Sequence, residues 1–68
     1  MIENMIGKKV FLVDDLGDGE MLMCSDTVTA VLLEENSMSV RCKTSGNEFW
    51  TIGENAFFSE CEAFEEYI

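Results

Sequence analysis

Three runs of alternating residues lie between Asp26 and Thr51 and organise the chain. In the first, about 26–33, Val28, Ala30 and Leu32 alternate with Thr27, Thr29 and Val31, and the threonines mark the second set as the outer face. Val31 and Leu33 then fall outside, where they offer an apolar contact to another copy. In the second run, about 38–43, Met38, Val40 and Cys42 oppose Ser39, Arg41 and Lys43, the half-buried pattern of an antiparallel sheet. In the third, about 47–52, Trp50 and Ile52 lie on one side and Phe49 and Thr51 on the other. Turn residues separate the runs: Glu34-Glu35-Asn36-Ser37 after the first, Thr44-Ser45-Gly46-Asn47 after the second. Together they predict an antiparallel meander.

Strands are also predicted at both ends of this meander. After a lead-in ending at Gly7, residues 8–13 contain the compact apolar run Val10-Phe11-Leu12-Val13. Asp14-Asp15-Leu16-Gly17-Asp18-Gly19-Glu20 then reads as an exposed loop, rich in carboxylates and glycine. Met21-Leu22-Met23-Cys24 reads as an irregular strand or a packed lid, a setting that flexible methionine suits. A last short strand is predicted at 56–58. Residues 60–67 form a helix: Ser59-Glu60-Cys61-Glu62 is a capping box, Phe58 and Ala63 occupy staple positions, and Cys61, Phe64 and Ile68 make an apolar stripe. Five short strands, a long first loop and a terminal helix predict a single domain, 1–68. The expected architecture is a small SH3-like five-stranded antiparallel barrel, mainly β, in which closure protects the strand edges.

Charge changes the functional picture. The net charge is −10, and it is unevenly spread: residues 14–35 carry seven carboxylates and no base, and residues 44–68 carry six more. Such a field repels nucleic acid and anionic membrane and attracts basic protein surfaces. The plainer reading of the same acidity is solubility. Arg41 and Lys43, beside Phe49 or Trp50, are the one candidate nucleic-acid patch, and two charges are few against −10. No apolar run approaches the ~18 residues of a membrane span, and no secretory signal precedes the first strand. With three widely spaced cysteines, Cys24, Cys42 and Cys61, the chain is expected in a reducing cytoplasm, with Cys42 and Cys61 as buried small hydrophobes.

Catalysis is not expected. The chain has no His, so the thiols lack an ordinary base and no Ser-His-Asp geometry can be built. The same lack, with no CxxC, removes the usual zinc ligands. Asp14 to Ser25 fits a calcium loop at Asp18 and Gly19 but fails it at Leu16 and Ser25. The expectation is therefore no metal and no cofactor, with Asp14, Asp15, Asp18 and Glu20 in a solvated loop.

Gly7-Lys8-Lys9-Val10, Thr27-Val28-Thr29-Ala30-Val31, Phe49-Trp50-Thr51-Ile52 and Phe57-Phe58-Ser59 with Ala63 together resemble small SH3-like proteins of phages and mobile elements in Gram-positive bacteria. The resemblance is one of pattern and spans about residues 6–68. It implies no catalytic residue, and a phage-type setting in a host cytosol. Acidity sets this chain apart from those proteins and argues against direct nucleic-acid binding. The functional expectation is a protein-binding inhibitor that mimics DNA charge and blocks a basic, nucleic-acid-handling defence effector, of the anti-CRISPR or anti-restriction kind. Its contact charges would be Asp14, Asp15, Asp18, Glu20, Glu34 and Glu35, with a second row of Glu60, Glu62, Glu65 and Glu66. The competing expectation is a self-associating structural domain that forms a homo-oligomer.

Overall fold

A computed structural model describes residues 5–67, Tyr67 by its backbone alone; residues 1–4 of the predicted lead-in and the stripe residue Ile68 lie outside the described residues. The elements are β1 (Lys9–Gly17), β2 (Glu20–Leu33), β3 (Met38–Cys42), β4 (Phe49–Thr51), β5 (Ala56–Phe57) and α1 (Glu60–Tyr67). The strands form one antiparallel sheet in the order β4-β3-β2-β1-β5. This sheet is open, with β4 and β5 at its two edges. A single parallel bridge, Ile52 to Ala56, brings those edges near each other.

The interior strand β1, between β2 and β5, shows why its sequence reads as a continuous apolar run. Val10 and Leu12 point to one face, into a core shared with Val28, Val40, Cys42 and Ala56 and flanked by Trp50, Ile52 and Phe58. Phe11 and Val13 point to the other face, where Val13 joins Phe57 and Ala63 beneath α1. A strand buried on both faces cannot alternate apolar with polar. Two small cores thus share one strand, which suits a chain too short for a single large one.

The first strands are longer than predicted, and the expected loop at Asp14–Glu20 is instead the outer part of a β-hairpin. Asp14 pairs with Leu22 and Asp15 with Met21, so Met21–Cys24 is regular strand. The turn occupies the tip alone. Gly17, Asp18 and Gly19 all adopt positive φ (85°, 52° and 79°), which glycine accepts freely and aspartate tolerates. The Asp15 carboxylate accepts the Gly17 amide proton at 2.9 Å, closing the bend at a register shift between the two. Carboxylates and glycines look like loop in composition, but here the glycines serve three residues and the carboxylates decorate strand.

A second register shift corrects the predicted faces of β2. Between Val28 and Ala30 the pairing with β3 slips by one residue, which exchanges the two faces beyond it. Val31 therefore packs against the core opposite Val40, while Leu32, predicted inside, is exposed. Leu33 is exposed as predicted. On β3, Ser39 is buried as well as Val40 and Cys42, its hydroxyl 3.4 Å from that of Thr51 on β4.

The helix begins where predicted. The Glu62 amide donates to Ser59 Oγ at 3.1 Å, and the Ser59 hydroxyl donates to Glu62 Oε1 at 3.2 Å, so the carboxylate reaches the hydroxyl of the cap and not its amide. The buried face differs from the predicted stripe: Ala63 is fully covered, whereas Cys61 and Phe64 are exposed. Only a small side chain lets a helix of eight residues lie this close to Val13 and Phe57. Phe58 packs in the other core, so the predicted staple with Ala63 does not form. Replacing Ser59 with Ala should lower stability by about 1 kcal/mol, read by urea denaturation; an unchanged midpoint would mean that the cap contributes nothing.

Candidate protein-binding groove

One open groove runs between the hairpin and the far edge of the sheet. It is lined by Val13, Asp14 and Asp15 of β1, by Glu48, Phe49 and Trp50 at β4, and by Glu54 and Asn55 of the turn that follows. Each wall has a local cause. Register places Trp50 opposite Val40, so it packs on the core while also lining the groove. Phe49, next along, points to the other face, where the Arg41 guanidinium sits 5.6 Å from its ring centroid. Arg41 is thus engaged on a side chain of its own sheet, which weakens it as part of a nucleic-acid patch.

Asn55 fixes the width of the groove. Its side-chain oxygen accepts the Thr51 amide proton at 2.7 Å, its own amide donates to the Thr51 carbonyl at 3.1 Å, and its carbonyl accepts from the Val13 amide at 2.9 Å. One residue therefore ties β4 to β1 across the gap. Gly53, at a φ of 92°, turns the chain into this position and donates to the Ala56 carbonyl at 2.8 Å.

The lining gathers four carboxylates, Asp14, Asp15, Glu48 and Glu54, and no cationic residue. The Trp50 indole lines the same groove, and its Nε1 is buried with no hydrogen-bond partner among the described residues. A buried N–H without an acceptor is uncommon in a folded protein. Carboxylates gathered along one groove are suited to holding a cationic side chain by charge.

The predicted contact charges separate into groups. Asp14, Asp15, Asp18 and Glu20 lie together on the outer hairpin, all exposed. Glu34 and Glu35 follow the opposite end of β2, in a turn where the Glu34 amide donates to the Ser37 carbonyl at 2.9 Å. Glu60, Glu62, Glu65 and Glu66 lie on α1, all exposed. Glu60 lines a separate depression with Lys9, Phe11, Met23 and Phe64. Glu48 and Glu54, absent from the predicted set, are what convert Asp14 and Asp15 into a site. Their signal in the sequence was weak: Glu48 directly precedes the aromatic pair Phe49-Trp50, and Glu54 follows the turn glycine. Among the described residues no three acidic or thiol groups converge closely enough to hold a metal ion.

A different acidic residue is structural. Asp26 is only 8% exposed, on the strand beside the two lysines Lys9 and Lys43. Its carboxylate accepts the Thr27 amide at 2.8 Å, the Thr44 amide at 3.2 Å, and the hydroxyls of Thr44 and Ser45 at 2.6 Å each. Burial alone would raise its pKa, but the hydrogen bonds from Ser45 and Thr44 and from the Thr27 and Thr44 amides outweigh it and hold the value at about 2. Asp26 thus pins the β3–β4 turn to β2. Beneath it, burial pushes the Cys42 thiol up to about 11, helped by the charges of Asp26 and Cys24, which leaves it an inert core residue. Cys61, expected to be buried, is exposed, as is Cys24.

No helix among the described residues is long and apolar enough to cross a membrane. No protein-family model matches the chain, and neither a curated protein sequence nor a solved structure is significantly similar to it.

Proposed function

We propose that this chain is a small acidic, non-catalytic protein-binding module that seats a Lys- or Arg-bearing surface of a nucleic-acid-handling protein in the groove over Trp50. The observation that carries this reading is one groove lined by Asp14, Asp15, Glu48 and Glu54 together with Trp50, with no cation among the lining residues. A surface that grips duplex phosphates with Lys and Arg meets here a set of anions along one groove. The bound chain then occupies the place of nucleic acid and acts as an inhibitor. The resemblance to phage SH3-like proteins directs the search toward CRISPR effectors and restriction nucleases. The strand order and the Ile52–Ala56 bridge support reading the open sheet as an SH3-like barrel short of full closure.

The test is displacement. A fluorescent duplex is bound to each of a panel of CRISPR effectors and restriction nucleases, and the chain is added while anisotropy is followed. The chain should release the duplex from at least one of them at low salt, with no binding of the duplex to the chain itself. Retention of the duplex by every protein in the panel would contradict the assignment to this class of partner.

A further inference from the structure

The outer half of the β1–β2 hairpin presents apolar side chains to solvent where its surroundings do not call for them. Leu16 is 58% exposed, Leu22 54% and Met21 44%, a high concentration of oily surface for one hairpin end. Register places Leu22 directly across from Asp14, and Met21 directly across from Asp15. Leu22 therefore shares one face of the ribbon with Asp14, and Met21 shares the opposite face with Asp15. Asp18 and Glu20 complete an acidic rim at the tip.

This ribbon also lacks neighbours. β5 pairs with β1 at Phe11 and Leu12, and β3 pairs with β2 from Val28 onward. Beyond Val13 on one strand and before Thr27 on the other, neither strand has another sheet neighbour among the described residues. A two-stranded ribbon is marginal by itself in water, and open edges with apolar faces are ordinarily covered or made polar.

We infer that this outer hairpin is a docking surface for a partner protein whose contact patch is apolar at its centre and ringed by Lys and Arg. Charge complementarity selects that occupant. Asp14 and Glu20 share the face of Leu16 and Leu22, Asp18 stands at the tip, and residues 14–35 contain no base. A second copy of the chain would bring two such acidic rims together, and the net charge of −10 opposes it at every distance within the screening length. Anionic lipid is disfavoured on the same ground. The inference rests on the proposed binding of a basic surface and adds that the contact has an apolar centre on Leu16 and Leu22, which alternation places on one face. The hairpin also supplies Asp14 and Asp15 to the groove, so one partner can engage both.

The experiment uses the full chain, isotope-labelled, and two synthetic peptides of equal length and charge, one alternating Lys with Leu and the other Lys with Ser. Amide chemical-shift changes should centre on residues 14–22, and the Lys/Leu peptide should bind at least about tenfold more tightly than the Lys/Ser peptide. That advantage should vanish in Leu16→Ser/Leu22→Ser, whose fold the same spectrum reports, and should shrink in Leu22→Thr, a variant chosen to keep strand preference if the double variant unfolds. Equal affinities for the two peptides, or shifts centred elsewhere, would overturn the apolar docking surface while leaving a purely electrostatic groove standing. Absence of binding by both peptides at low salt would remove the basic-surface reading together with it. Sedimentation showing that the chain alone dimerises, with Leu16→Ser/Leu22→Ser returning it to a monomer, would overturn the inference in favour of a second copy.

Discussion

Asp26→Ala should destabilise the chain by about 3 kcal/mol, a large share of the few kcal/mol that hold a domain of this size folded. The substitution strands the Thr27 and Thr44 amides together with the Thr44 and Ser45 hydroxyls, all of which now donate to one carboxylate. The hydroxyls can turn toward water, and for that reason the cost stays below the sum of the individual bonds. Denaturation in urea at neutral pH measures it, and a loss under about 1 kcal/mol would show that the β3–β4 turn does not depend on this anchor. The same residue sets an acid limit. Its pKa falls from an ordinary 3.8 to about 2 on folding, so its contribution is fully present above the unfolded value and is lost as pH falls through the folded one. The stability gap between the natural chain and Asp26→Asn should therefore be constant at neutral pH and shrink by roughly 1–2 kcal/mol between about pH 4 and pH 2. Taking the difference removes the influence of the other carboxylates, whose neutralisation relieves repulsion in both proteins alike. A gap that stays level over that interval would contradict the role given to Asp26.

The second large effect concerns binding. Asp14→Lys/Glu48→Lys should weaken displacement of duplex by about 100-fold, because two attractive charges beside the proposed cation site become repulsive ones. Both residues are exposed, and neither takes the structural position of Asp15, which closes the hairpin turn, or of Asp18, which sits at positive φ. The matched control is Glu34→Lys/Glu35→Lys. It makes the same change in net charge at the opposite end of β2 and should cost only a few-fold through the long-range field. Equal losses in the two variants would mean that total charge, and not the groove, governs binding.

Much of the fold was legible because its signals are local. The alternation in Met38–Cys42, the glycine turn at Gly46 and the Ser59 cap each depend on a few neighbouring residues, and each lies where the sequence puts it. The extended hairpin was hidden by composition: Asp14, Asp15, Asp18 and Glu20 resemble a loop until their partners Met21 and Leu22 are seen across from them. The slip between Val28 and Ala30 was hidden for a different reason. A register shift inverts every face beyond it, yet no Gly or Pro marks this one, so strict alternation assigned Val31 outside and Leu32 inside. Closure of the sheet was inferred from strand number, but strand number does not fix how far two edge strands of three and two residues approach.

The candidate site was half legible. Asp14 and Asp15 were selected by charge density, which is visible in one dimension. Glu48 and Glu54 join them only because Asn55 ties Thr51 to Val13, a long-range connection that no spacing rule contains. Asp26 entered the sequence reading only through the net charge, although the Thr44-Ser45 pair at the β3–β4 turn supplies the hydroxyls that enclose it. Exposed anions and a buried anion look identical until their donors are located.

The central claim is that specific anions lining the groove with Trp50 are what a cationic surface binds, and the salt dependence of displacement tests it most directly. With an effector that responds at low ionic strength, affinity for the natural chain should fall steeply between about 50 and 200 mM salt, and the decline should be distinctly shallower for Asp14→Lys/Glu48→Lys. Parallel declines for the two proteins, or an affinity indifferent to salt in both, would contradict the claim.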